Sequence, residues 1–167
     1  MKITPDGAQK RIRSLEEERQ QLVEEINQLS TFVVAVSEGD PEELRPEFNF
    51  FAAAEEIRKI DEQIRKVKHA RNVFNVETVL PGETITVDEA LVWMAMLNKN
   101  YEYYVKFGNR QQKERSRTGF NKEIEYVYTN YDIQEVRQYG KTMYAKLLEI
   151  QSKINLINST YYFEVEL

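Results

Sequence analysis

The 167-residue chain has no cysteine, a single histidine (His69), only four prolines and six glycines, and no apolar run near the length of a bilayer span. Each shortage removes a class of chemistry. Without cysteine there are no disulfides, thiolate zinc sites or thiol nucleophiles, a composition that suits a reducing, cytoplasmic setting. With His69 alone, a histidine-rich metal site within one chain is excluded, and no cofactor is expected. The most apolar run, Phe32 to Val36, falls far short of the roughly 20 residues that cross a membrane. The amino-terminal segment MKITPDGAQKRIRSLEEERQQ also lacks the apolar stretch of a secretory signal. A soluble protein is expected.

What is present points to helices. Charged residues make up 31% and hydrophobic residues 41% of the chain, a balance nearer to long helices than to a loop-rich sandwich or a disordered tail. The length favours one domain. A net charge of -5 and a pI near 5.2 argue against general nucleic-acid binding, which needs a basic face to neutralise phosphates.

Four segments repeat apolar residues at alternating spacings of three and four, as in a coiled-coil seam. Ile12, Leu15, Leu22, Ile26, Leu29, Val33 and Val36, with Arg19 in the missing seam position, predict a helix over 8–36. The cluster Ser37 to Pro41 should stop it and turn the chain back. Phe50, Ala53, Ile57, Ile60, Ile64 and Val67, continuing through Arg71 and Phe74, predict an antiparallel partner over 50–78. Thr86 and Glu89 form a capping box for a third helix over 87–115, its seam traced through Val87, Leu91, Met94, Asn98, Tyr101, Val105 and Gly108. Residues 123–129 alternate polar and apolar side chains, as a half-buried strand does. A helix over 132–158, with Ile133, Val136, Gly140, Met143, Leu147, Ile150, Ile154 and Ile157 in its seam, and a second strand over 161–166 complete the reading. The expected fold is mainly α: an antiparallel bundle of about four long helices with two short strands in the carboxy-terminal half. A lone ribbon is marginal in water, so the strands should pair with each other or across subunits. Surplus apolar and aromatic surface likewise predicts a homo-oligomer.

The chemistry-bearing feature is a polar break in the second seam. Arg71, Asn75 and Thr78 share a helix face at the four-then-three spacing, with Asn72 beside them. A guanidinium, two carboxamides and a hydroxyl suit recognition of a phosphate, carboxylate or base edge rather than acid–base catalysis. The same residues would equally fix the register of a bundle, as buried polar seam positions do. Asn98 and Asn158 carry the same two readings. Lys113, Arg115, Arg117 and Lys122 form a basic stretch able to contact an anion. His69 reads as a surface residue among cations. The acidic runs Glu16-Glu17-Glu18 and Glu24-Glu25 read as solvated helix faces. No nucleophile with its base and no phosphate-binding glycine loop can be named, so an enzyme is not expected.

The order Asn72-x-x-Asn75-x-x-Thr78, followed by Gly82-x-Thr84-Ile85-Thr86-Val87-Asp88-Glu89-Ala90-Leu91, resembles the core pattern of the septicolysin-like bacterial proteins. Glu123-Ile124, Thr129, Asp132 and the segment Ile154 to Asn158 resemble that family in order and spacing. The chain departs from it at Phe74, where such relatives carry threonine, and at Ser159, where they carry tryptophan. The resemblance implies a small helical protein without established enzymatic activity, assembled as a homo-oligomer such as a hexamer. Three functions follow as expectations. The first is an oligomer binding or sequestering a small polar or anionic ligand, a nucleotide included, through Arg71, Asn72, Asn75, Thr78 and Asn158. The second is a structural or protein-interaction scaffold, and the third is the membrane-active toxin that the family name suggests.

Overall fold

Thr4 and Pro5 open the first long helix: the threonine hydroxyl accepts from the Gly7 amide at 3.1 Å, and proline takes the first helical position, where its missing N–H costs nothing. In a computed structural model describing residues 1–37, 39–116 and 124–167, the order is β1 (Lys2–Ile3), α1 (Pro5–Leu29), α2 (Phe50–Glu77), α3 (Val87–Gly108), β2 (Lys113–Arg115), β3 (Tyr126–Tyr128), α4 (Ile133–Thr160) and β4 (Phe163–Glu164). The fold is mainly α, as the periodicity indicates. The chain packs as two compact units, Met1–Asn75 with Ile157–Leu167, and Val76–Leu156.

In the first unit, α1 and α2 run antiparallel. Arg71 on α2 donates to Gln9 on α1, and Arg19 donates to Asp61 at 2.7 Å, ten residues on along one helix and ten back along the other. Arg11–Gln63 and Lys68–Glu16 lie between them. Inside this polar row sits the apolar seam. Leu15 packs with Ile60 and Ile64, and Ala8 and Ile12 pack with Val67 and Val165. Leu15 and Val67 are wholly buried, and truncating Leu15 to alanine would cost about 2–5 kcal/mol in lost transfer energy and cavity.

The first helix ends at Leu29 rather than at residue 36. Its register with α2 supplies the reason. Continued by ten residues from the Arg19–Asp61 pair, it brings the position after Leu29 level with Phe50, where α2 begins. Beyond that point the seam has no partner, and Thr31, Val33 and Val34 are β-branched residues with weak helix preference. Val33 and Val36, expected in the seam, are fully exposed.

Strand pairing differs from expectation. The two strands anticipated from alternation pair neither with each other nor as predicted in length. β4 is joined antiparallel to β1, and β3 to β2, with Lys113 opposite Tyr128, Glu114 opposite Val127 and Arg115 opposite Tyr126. β1 and β2 carry only two and three residues, too few for a periodicity to register. β2 also lies in the basic stretch that the sequence reading placed at the end of the third helix. That helix stops at Gly108, where Arg137 and Tyr131 take up its last carbonyls.

In the second unit, α3 and α4 are antiparallel: Tyr101 stacks on Tyr144, Tyr104 meets Tyr139 edge-on, and Gly108 lies against Arg137. The α4 seam is the expected one, with Ile133, Gly140 and Ile150 buried within this unit. The α3 seam is not. Val87, Ala90, Leu97 and Gly108 are buried, with Met94, Tyr101 and Tyr104 half-buried, whereas Leu91, Asn98 and Val105 face outward. Both stripes keep the three-four spacing, and Ala90 is fully buried where Leu91 is exposed. At the other end of the unit, Glu83 in the 78–86 connection accepts from Lys146 at 3.0 Å and from Lys153 at 2.6 Å.

Candidate functional site

Arg71, Asn72 and Asn75 lie near the end of α2 as expected, but Thr78 falls beyond it. The α2 helix closes at Glu77, and the Thr78 carbonyl accepts from the Val87 amide at 2.8 Å, next to the bridge joining Val79 and Thr86. The helical face invoked for Arg71, Asn75 and Thr78 therefore reaches only the first two, with Asn72 beside them. Arg71 and Asn75 are half-buried and Asn72 is exposed. The guanidinium of Arg71 is engaged by the Gln9 carboxamide, part of the polar row that sets the hairpin register. Asn158 is half-buried on α4, in the same unit as Arg71. Asn98 is exposed, with its amide 3.4 Å from Glu102 on its own helix. His69 is exposed, matching the surface reading. Phe74 is buried and packs on Phe163, with ring centroids 5.1 Å apart.

The basic stretch has a specific geometry. Lys113 places its ammonium 4.0 Å from the centroid of Tyr126 and 5.4 Å from that of Tyr128, a cation–π arrangement across the β2–β3 ribbon. Its charge is directed onto aromatic faces. Arg115 is exposed on β2, while Arg117 and Lys122 lie outside the described residues.

A cleft missed by the sequence reading opens where α3 ends and α4 begins. Its volume is about 760 Å³, and Arg110, Gln112, Thr129, Asn130, Gln134 and Arg137 line it together with Tyr131, Asp132 and Ile133. Local capping builds it. Asp132 accepts from the amides of Gln134 at 2.6 Å and Glu135 at 3.2 Å, starting α4 and occupying its first free donors. One turn on, Arg137 spends its Nε on the Gly108 carbonyl at 2.7 Å, and the Tyr131 hydroxyl donates to the Phe107 carbonyl at 2.9 Å. The α3 terminus is thereby closed by side chains from the α4 side, a placement that also sets a cation at the negative end of the α3 dipole.

Arg110 stacks its guanidinium on Phe107, 5.0 Å from the ring centroid, and both arginines are exposed on the cleft. In the wall, the Thr129 hydroxyl is closed off from solvent and has no hydrogen-bond partner among the described residues. Such an orphan costs about 1–3 kcal/mol. A second cavity of about 540 Å³ adjoins through Arg110, Thr129, Asn130 and Tyr131. The signal available in sequence was weak: Arg110 and Arg137 are 27 positions apart and share no spacing pattern. Among the described residues, no group of His, Asp or Glu side chains is gathered as metal ligands would be.

No family model matches the chain, and no curated protein does. Among solved structures, it is similar to the crystal structure of a functionally unknown conserved protein from Corynebacterium diphtheriae. The two share 16% identity with a TM-score of 0.62, over 98% of this chain and 100% of that one. This is a likeness of fold. No described helix is long and apolar enough to cross a membrane.

Proposed function

We propose that the chain is a non-enzymatic, cytoplasmic, homo-oligomeric protein that binds or sequesters a small polar anion, in the class of phosphates, carboxylates and nucleotides, in the cleft between the end of α3 and the start of α4. The observation that carries this reading is the placement of Arg110 and Arg137 on one open cleft. Each arginine is held by a contact that leaves donors over: Arg110 by the Phe107 ring, Arg137 through its Nε alone. Guanidinium forks match planar or tetrahedral oxyanions in a bidentate way, and the neighbouring carboxamides of Gln112, Asn130 and Gln134 supply further donors. Asp132 opposes an anion, and its Oδ1 is engaged by the amides of Gln134 and Glu135. The cleft has no residue pair suited to general acid–base work near neutral pH.

The α2 set of Arg71, Asn72, Asn75, Thr78 and Asn158 fits the scaffold reading better, and the Arg71–Gln9 bond is the specific observation in its favour. The toxin reading predicts liposome leakage and has no feature of the described helices behind it. Native mass spectrometry of freshly purified protein tests the proposal. It should show more than one subunit and a retained small molecule that Arg110→Ala loses while subunit number stays the same. A bare chain mass in both proteins, together with no binding on adding millimolar inorganic phosphate or a nucleoside monophosphate, would refute it.

A further inference from the structure

We propose that the outer edge of β3 is a two-fold self-association site, pairing antiparallel with β3 of a second copy around Val127. The inference rests on the homo-oligomeric part of the reading above and supplies its contact; it is independent of the anion cleft.

Register dictates which groups are available. The Ser116 amide donates to the Glu125 carbonyl at 2.9 Å, and the Thr129 amide to the Gln112 carbonyl at 3.2 Å. On an antiparallel ladder, hydrogen-bonded and non-hydrogen-bonded pairs alternate. Residues 125, 127 and 129 therefore turn their backbone groups toward β2, and Tyr126 and Tyr128 turn theirs outward. That outward edge has no partner among the described residues. The ribbon's six described strand residues are all exposed. A two-stranded ribbon in that condition is marginal, and its edges are templates for another strand.

The occupant follows from self-complementarity. Placing Val127 opposite its own copy sets Tyr126 opposite Tyr128 of the other chain, twice. Those are the residues with outward-facing groups, so each pair exchanges both of its hydrogen bonds. The two valines form the central non-hydrogen-bonded pair, where side chains come closest. Tyrosine–tyrosine and valine–valine cross-strand pairs are favourable ones. Such an isologous contact closes at two copies. The other edge of the ribbon cannot do the same. Pairing β2 with itself around Glu114 would set Lys113 opposite Arg115 and Glu114 opposite itself, like charges throughout. Charge thus selects β3.

Sedimentation equilibrium on the full chain tests this with four proteins. The wild type should associate by a factor of two, and Val127→Lys and Val127→Glu should each halve that mass by placing like charges at the two-fold axis. Mixed in equal amounts, the two variants should associate again. Tyr128→Pro should also halve the mass, because the proline removes an outward donor and leaves the ribbon's own bonds intact. Unchanged helical circular dichroism in each variant separates loss of contact from loss of fold, and recovery in the mixture does so independently. Variants that keep the wild-type mass, or a mixture that stays dissociated, would overturn the β3 contact alone. A wild type that is monomeric at every concentration would overturn it together with the homo-oligomeric reading.

Discussion

Gly140 on α4 faces Tyr104 on α3 so closely that a Cβ added to the glycine would stand 3.0 Å from the tyrosine Cβ. The obstacle is the root of a side chain, fixed to its helix, and it cannot swing aside. Gly140→Ala is therefore expected to push α3 and α4 apart. Overpacking costs about 1–3 kcal/mol, against which alanine's better helix propensity returns about 1 kcal/mol. A net destabilisation of up to about 2 kcal/mol should appear in urea denaturation, with Gly140→Val worse. An unchanged midpoint for both variants would show that the helices can part freely.

The Arg71–Gln9 bond joins α1 to α2 on an exposed face. Exposed charge-assisted contacts of this kind contribute about 1 kcal/mol or less. Arg71→Ala and Gln9→Ala should each cost no more than that, and the double variant should cost less than the two added together. Ligand retention should be unaffected. If Arg71→Ala abolishes a bound molecule while stability is unchanged, the α2 set is the binding site.

Acid should weaken the second unit through Glu83 and Glu149. Lys153, and then Lys146, hydrogen-bond both carboxylates and hold them below the usual carboxylate range. Glu89 is lowered as well, first by the Thr86 amide and then by the Thr86 hydroxyl. A carboxyl depressed in the folded state contributes stability that is fully present above its unfolded pKa and is lost as pH falls through the folded value. Melting temperature should hold from neutral pH down to the ordinary carboxylate range and drop below it. Glu83→Gln should lower the neutral plateau and flatten the acid drop. The paired lysines are raised, Lys146 first by Glu83 and Lys153 first by Glu149. Their contribution is present below the unfolded lysine pKa and disappears only as pH climbs through the higher folded value. An acid profile identical in wild type and Glu83→Gln would contradict this assignment.

Much of the scaffold was legible because burial follows period. The seams of α1, α2 and α4 were readable from Ile12, Leu15, Ile64, Val67, Ile150 and Ile157, all buried. The Thr86–Glu89 capping box was equally plain, since both of its bonds are local. Helix length was less so. The end of α1 depends on where α2 starts, to which the β-branched Thr31, Val33 and Val34 add only a weak local signal. The Thr4-Pro5 start, by contrast, was present in sequence as a cap followed by proline. The strands β1 and β2 are shorter than the two-residue alternation needs to reveal itself, and both owe their state to distant partners. On α3, two stripes of the same spacing compete, and burial falls on Ala90, Leu97 and Tyr104 rather than on Leu91, Asn98 and Val105. The cleft was invisible for a related reason: Arg110 and Arg137 meet only because Arg137 reaches across to close α3 at Gly108.

The most direct measurement is a nuclear magnetic resonance titration of the uniformly labelled chain with inorganic phosphate, malonate and a nucleoside monophosphate. Saturable shifts are predicted at Thr129, Asn130 and Gln134 and on the Arg110 and Arg137 side-chain signals, for at least one of the three and lost in Arg110→Ala. Saturable shifts confined to Arg71, Asn75 and Asn158 would move the site to α2, and no saturable shift with any of the three would contradict anion binding altogether.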